Sequence, residues 1–457
     1  MRRSSFRALL LSSVLAPVSC GGSVGASGDN GGDPDTDPGS DAVVDDTGTP
    51  GDDTGAPGDD TGSGTDTAPG DGAPDPHGAP SDTYPAFPPD LPTLAYGGGT
   101  LLKSPVIVTI TYDTDPSRAQ FEDFGDTIGA SKYWASVTAE YGIGAAVSGA
   151  SNHAHISTAA PASVSDRDVR NMIAANAGTT WPAVTANSIY VFYAHPSSIV
   201  ASFGGRDLCK SGVGGYHSST TVGGQRVSYA VLPQCAGGSG AFSVTSSASH
   251  ELAEAVTDPF QSSPGYYGFD SPHLAWELWQ QFNVENGDAC EFYVDSFYTE
   301  TESAFAYSVQ RQWSNANAKA GKSPCAPEDP TQPYFNVSPL DIENIKVDLS
   351  GLGSSPSFAT KGYHVGVGET KTFTVGLWSA AKRTAWSLKA VEGNPILGPV
   401  TPSNLTVSID LKTGQNGQKA FVTVTVKSAP KEKYEFLSIE SYVFGVAHYL
   451  PVLITQL

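Results

Sequence analysis

The segment Ser249-His250-Glu251-Leu252-Ala253-Glu254-Ala255-Val256-Thr257-Asp258-Pro259 sets one imidazole and two carboxylates among small apolar residues. Wound into a helix, His250 and Glu254 lie one turn apart and project from the same face, the geometry by which two side chains grip one metal ion. Glu251 follows the first of these ligands, where a general base stands when it takes a proton from an attacking water. The ordinary zincin motif has a second His where this chain has Glu254. A third ligand must come from elsewhere. The stretch Glu285-Asn286-Gly287-Asp288-Ala289-Cys290-Glu291 is the best supplier, with Asp288 preferred over Glu285, and His273 is an alternative closer in sequence. Two carboxylates and one imidazole would neutralise a divalent cation, leaving a weaker Lewis acid than zinc held by neutral histidines. Zinc is the first expectation, and the oxygen-rich donors also suit manganese or calcium. The competing reading is that His250, Glu251 and Glu254 are the solvated side of an amphipathic helix, as such faces usually are.

Other residues carry weaker signals. His217 follows a Gly-rich turn and reads as a loop histidine that lines a cleft at most. His153 and His155 alternate as on an exposed strand. Trp276 and Trp279 lie between the helix and Asp288; core packing is their default, and a stacking platform for sugar or peptide is the alternative.

The elements that must position these groups are legible as periodicity. A helix over 244–257 opens at Ser243 as N-cap and stops before Pro259, with Val244, Ala248, Leu252, Ala255 and Val256 on its apolar face. Apolar, β-branched runs at 104–112, 188–193 and 227–232 predict buried strands, and helical patterns carry Phe121, Phe124 and Ile128, then Tyr133, Trp134, Val137 and Tyr141, then residues 167–175. Strands alternating with helices predict an α/β or α+β domain over residues 93–328. Beyond the Pro-rich stretch 323–333, short alternating runs at 371–377, 405–411, 420–427, 435–441 and 447–455 predict an immunoglobulin-like β-sandwich over 334–457.

Several of these segments recur together in one order. Leu101-Leu102-Lys103-Ser104-Pro105-Val106-Ile107-Val108-Thr109-Ile110-Thr111-Tyr112, the tryptophan helix around Trp134, the strand 189–193, Gly215-Tyr216-His217, the strand through Tyr229-Ala230 leading to Cys235, the Ser-His-Glu-Leu-Ala-Glu helix and Asp288-Ala289-Cys290-Glu291 follow one another as they do in the EXORDIUM (phosphate-induced) family. Residues 93–327 resemble that extracellular family, best known from plant cell walls; this chain has fewer cysteines around 209–217 than plant members. The resemblance implies a zincin-like main domain in which His250, Glu254 and Asp288 are metal ligands and Glu251 is the base. It implies no established reaction.

The N-terminus reads as an address. Arg2, Arg3 and Arg7 precede an apolar run over 8–16 that is too short to span a bilayer, and Pro17-Val18-Ser19-Cys20 resembles a bacterial lipobox in which Cys20 is lipidated. Residues 1–20 are therefore expected to be a lipoprotein signal peptide, and the chain is expected to be exported and lipid-anchored to the cell envelope, at the outer membrane or cell surface, or otherwise secreted. Residues 21–92 hold sixteen Asp and no Lys or Arg, in Asp-Asp-Thr-Gly and Ala-Pro-Gly-Asp repeats that cannot bury enough apolar surface to order themselves. This stretch is expected to be a disordered tether, and it accounts for most of the net charge of -22. Nucleic acid is excluded as a partner by the lack of clustered Lys and Arg. The remaining cysteines, Cys209, Cys235, Cys290 and Cys325, are even in number in an exported chain, and two disulfides between sequence neighbours are expected.

Two functions compete on these grounds. One is a surface-anchored, monomeric metal-dependent hydrolase of peptidase type. The other is a non-catalytic module that binds peptide, cell wall or polysaccharide at the end of a flexible tether.

Overall fold

The computed structural model describes residues 75–456, apart from 202–204, 236–242, 282–283, 351–356 and 431. Cys20, the signal segment and residues 21–74 of the expected tether lie outside the described residues. What is described is rich in sheet, with few helices.

The first sheet has five strands in the order His153–Ile156, Val106–Tyr112, Ser188–Tyr193, Gln225–Leu232, Tyr216–Val222. The first four run parallel, and the last turns back as an antiparallel hairpin strand. A parallel sheet is covered on both faces, so its strands read as continuous apolar runs; all six residues of Ser188–Tyr193 are buried. Successive side chains serve opposite faces. Ile189, Val191 and Tyr193 join Phe121 and Phe124 of helix Arg118–Ile128 and Leu252 of helix Val244–Thr257, whereas Tyr190 and Phe192 meet Val169 and Ile173 of helix Asp166–Asn176. The last of these helices opens with a capping box between Ser165 and Asp168.

The C-terminal part forms two further sheets. One has Phe335–Pro339, Thr370–Ser379, Lys419–Val426 and Leu405–Ile409 in that order; the other runs Glu343–Val347, Phe358–His364, Val446–Thr455, Tyr434–Val443, Trp386–Glu392, Thr413–Gly414. Alternate residues of Lys419–Val426, namely Ala420, Val422, Val424 and Val426, are buried with Leu437, Ile439 and Val452 from the other sheet. This is the sandwich that the period-two runs predict.

The described residues from Pro76 onward belong to one compact unit. Trp276 and Trp279 are fully buried in it. Trp279 Nε1 donates to Ser438 Oγ (3.1 Å) and its ring lies 5.2 Å from that of Tyr449. The alternative of a solvent-facing stacking platform is thereby corrected: Trp279 fastens the first part of the chain to the sandwich, while Trp276 packs edge-on against Phe269 and Trp313. Residues 75–92 also differ from the tether expectation. Asn416 Nδ2 donates to the carbonyls of Ser81 (2.7 Å) and Thr83 (2.8 Å), and Phe87 packs against Gly376, where a Cβ would come within 2.5 Å of the ring. Tyr84 and Phe87 give this end of the segment the apolar surface that the Asp-Gly repeats lack.

The disulfides are Cys209–Cys235 and Cys290–Cys325, as expected for sequence neighbours. Among the described residues, no helix is long and apolar enough to cross a membrane.

Candidate metal centre

Helix Val244–Thr257 begins where the Ser243 side chain accepts from Ser246 N, and nearly all of it is buried. Its apolar face meets the sheet. Its polar face is covered as well: His250 is 5%, Glu251 5% and Glu254 3% exposed. The reading of a solvated face is overturned, because the segment from Glu285 to Gln310 and the hairpin strand close over it.

The hairpin explains the position of His217. Tyr216–Val222 and Gln225–Leu232 are joined by Gly223-Gly224, both at positive φ as a two-residue primed turn requires, and the register sets His217 opposite Ala230. His217 is therefore a buried strand residue and not a loop histidine; its Nδ1 lies 3.4 Å from both Glu251 Oε2 and Glu254 Oε2. Gly215 permits this approach, since a Cβ there would sit 3.0 Å from Glu251 Oε1.

On the other side, His250 Nε2 is 3.0 Å from Glu254 Oε1 and 3.6 Å from Asp288 Oδ1. Asp288 N donates to Glu254 Oε1 (3.1 Å), and Asp288 Oδ2 accepts from Glu285 N (3.1 Å). Glu285 Oε1 is buried without a hydrogen bond, 3.5 Å from His217 Nε2. Both candidates from the second segment thus reach the cluster, Asp288 at His250 and Glu285 at His217. His273 does not; it pairs with Asp270 and Asp90.

Gln310 is the residue that sequence reasoning misses. Its Nε2 donates to Gly287 O (2.8 Å), so its Oε1 faces His250 Nδ1 at 2.9 Å and accepts from it. That bond sets the tautomer that leaves Nε2 free to coordinate, the usual role of a group behind a metal-binding histidine. Gly287 completes the fit. A Cβ there would lie 2.6 Å from His250 Nδ1 and 2.7 Å from Glu254 Oε1, so only glycine lets this turn close on the pair.

The electrostatics are those of buried acids crowded around two imidazoles. Burial opposes charge on His250, but Glu254 carries its pKa well above the ordinary value; His217 is raised against burial in the same way by Glu285, Glu251 and Glu254. Glu254 is held low despite burial, by His250 and His217. Burial and the charge on Glu254 push Asp288 and Glu285 well up. Carboxylates so placed are short of positive charge, and a divalent cation would supply it. Here His250, Glu254 and Asp288 form one triad, and His217, Glu251 and Glu254 another, each with its donor atoms within 4.8 Å of one another. They share Glu254, one oxygen to each side. The donors fit a divalent ion whose identity they do not distinguish.

The chain matches no family model and no curated protein. Solved structures with some likeness include titin M4, at 7% identity over 21% of this chain and 86% of that chain with a TM-score of 0.15. Titin M3 has 9% identity over 21% and 85%, TM-score 0.14. A family 123 glycoside hydrolase from Clostridium perfringens has 10% identity over 27% of each chain, TM-score 0.17. Likeness at that level carries no argument about fold or function.

Proposed function

We propose that the chain is an exported, lipid-anchored metal-dependent hydrolase of peptidase type, with a zincin-like catalytic domain of the EXORDIUM kind. His250, Glu254 and Asp288 would hold the ion, zinc first and manganese or calcium as alternatives. The observation that carries the reading is the Gln310 bond to His250 Nδ1, which aims Nε2 at Glu254 and Asp288. A divalent ion there would polarise the substrate carbonyl as a Lewis acid. Glu251 takes the proton of the attacking water and returns it to the departing nitrogen. His217, 3.4 Å from Glu251 Oε2, orients that carboxylate. In this reading Cys20 anchors the chain at the cell envelope, where peptide or wall polysaccharide is within reach. The two disulfides support an oxidising compartment outside the cytosol.

Elemental analysis of wild type and Glu254→Ala tests the centre: a stoichiometric metal present in the first and lost in the second is expected, and metal in neither overturns the reading. Glu251→Gln then separates roles, because it should keep the metal and lower turnover of a peptide library by at least about 100-fold.

One observation favours a second reading. His217, His250, Glu251 and Glu254 are all at least nine-tenths buried, which suits a structural ion bracing a non-catalytic envelope-binding module. In that case chelation lowers the melting temperature and Glu251→Gln changes no activity.

A further inference from the structure

We propose a second cation site at the opposite edge of the five-stranded sheet, formed by Glu122, His153 and His155 and suited to a borderline transition metal such as Zn2+, Ni2+ or Cu2+. It does not depend on the centre at His250. Strand His153–Ile156 is the edge strand beside Val106–Tyr112. Ala154 points into the core that contains Val169 and Ile173, so His153 and His155, one residue to either side, face the other way. There they meet helix Arg118–Ile128, whose Glu122 and Asp126 are one turn apart on one face.

The contacts are those of a ligand set. Glu122 Oε1 is 2.9 Å from His155 Nε2 and Glu122 Oε2 is 3.6 Å from His153 Nδ1. Donor atoms of a tetrahedral zinc site stand roughly 3.4 Å apart, given bonds of about 2.0–2.1 Å, and these two distances bracket that value. Three ligand atoms from Glu122, His153 and His155 lie within 4.8 Å of one another. His153 Nε2 also touches Asp126 Oδ1 at 3.0 Å, which can orient the ring from behind. Arg118 is the competitor. Its Nη1 is held by Asp113 at 3.0 Å, while its Nε stands 3.8 Å from Glu122 Oε1. Glu122 and His153 are half-buried and His155 is exposed, so the site opens to solvent and an ion can enter. Two imidazoles and one carboxylate favour zinc, nickel or copper over calcium or magnesium. An ion there ties the edge strand to the helix that covers it.

The test is isothermal titration of Zn2+ into the metal-free full chain, prepared without an oligohistidine tag. Wild type, Glu254→Ala and the double variant His153→Gln/His155→Gln are compared, each with its melting temperature. The double variant, changed only at the partly open surface, is expected to fold, to bind one equivalent less than wild type and to lose part of the zinc-dependent rise in melting temperature. Glu254→Ala is expected to keep that equivalent. Equal stoichiometry in wild type and double variant overturns the proposal, as does a titration in which Glu254→Ala binds no zinc at all; the result for Glu254→Ala also separates failure here from failure at the buried centre.

Discussion

His250 owes its orientation to a side chain sixty residues away in sequence, and the consequences can be measured. Replacing Gln310 by Leu removes the acceptor of His250 Nδ1 and the donor to Gly287 O together. Loss of such an outer partner weakens metal binding by roughly 10–100-fold, so competition with a chromophoric chelator should show that drop while far-UV circular dichroism is unchanged; undiminished affinity would remove Gln310 from the site. Gly287→Ala inserts a methyl group 2.6 Å from His250 Nδ1. Overpacking of this kind costs about 1–3 kcal/mol, and denaturant unfolding of the variant should show it together with weakened metal binding. The spacing of His250, Glu251 and Glu254 is readable because helical periodicity is local, whereas nothing local decides between Glu285 and Asp288, and both reach the cluster. The burial of that helix face is not readable, since the same letters also describe a solvated helix side. Gln310 carries no motif at all, and nothing in sequence links it to His250.

Elements behave the same way: what a short window contains is legible, and what pairs across distance is less so. The strand Ser188–Tyr193 and helix Val244–Thr257 follow from their own residues. Strand Tyr216–Val222 was signalled by Gly223-Gly224 between β-branched runs, and reading that turn would have set His217 opposite Ala230. Strand Phe358–His364 holds Lys361 and Gly362 in place of clean alternation, and its pairing with Glu343–Val347 carries it. The short helix Asp288–Glu291 is too small to hold itself, and Cys290 ties it to Cys325 across 35 residues. Chain entropy for a loop of that length amounts to about 4 kcal/mol. Cys290→Ser/Cys325→Ser should lose stability of that order in guanidinium and also bind metal more weakly, because Asp288 is two residues from the bridge; a destabilised variant with unchanged metal affinity would show that Asp288 is not a ligand.

At the scale of the molecule, the composition shift near residue 330 marks where texture changes, but it says nothing of how closely the two sides pack. The seam is built from aromatic rings, with Trp279 on Tyr449 and Tyr293 beside His448. His448 lies within this seam, its ring 4.2 Å from that of Tyr334 and its Nδ1 donating to Phe335 O at 2.9 Å. Burial lowers its pKa to about 4, with Asp295 pulling upward and Arg383 downward by lesser amounts. A histidine depressed in the folded state and near 6.5 when unfolded binds its proton preferentially in the unfolded chain between those values. Its contribution to stability is therefore complete above pH 6.5 and is lost as pH falls toward 4, on the order of 3 kcal/mol. Urea unfolding at pH 7.5 and pH 4 should show wild type losing that much more than His448→Asn, which keeps a donor for Phe335 O and has no proton to gain. Equal losses in the two proteins would mean that His448 does not set the acid sensitivity of the seam. A difference of the expected size, seen in one transition by both tryptophan fluorescence and far-UV circular dichroism, would mean that the seam holds both parts of the chain in a single cooperative unit.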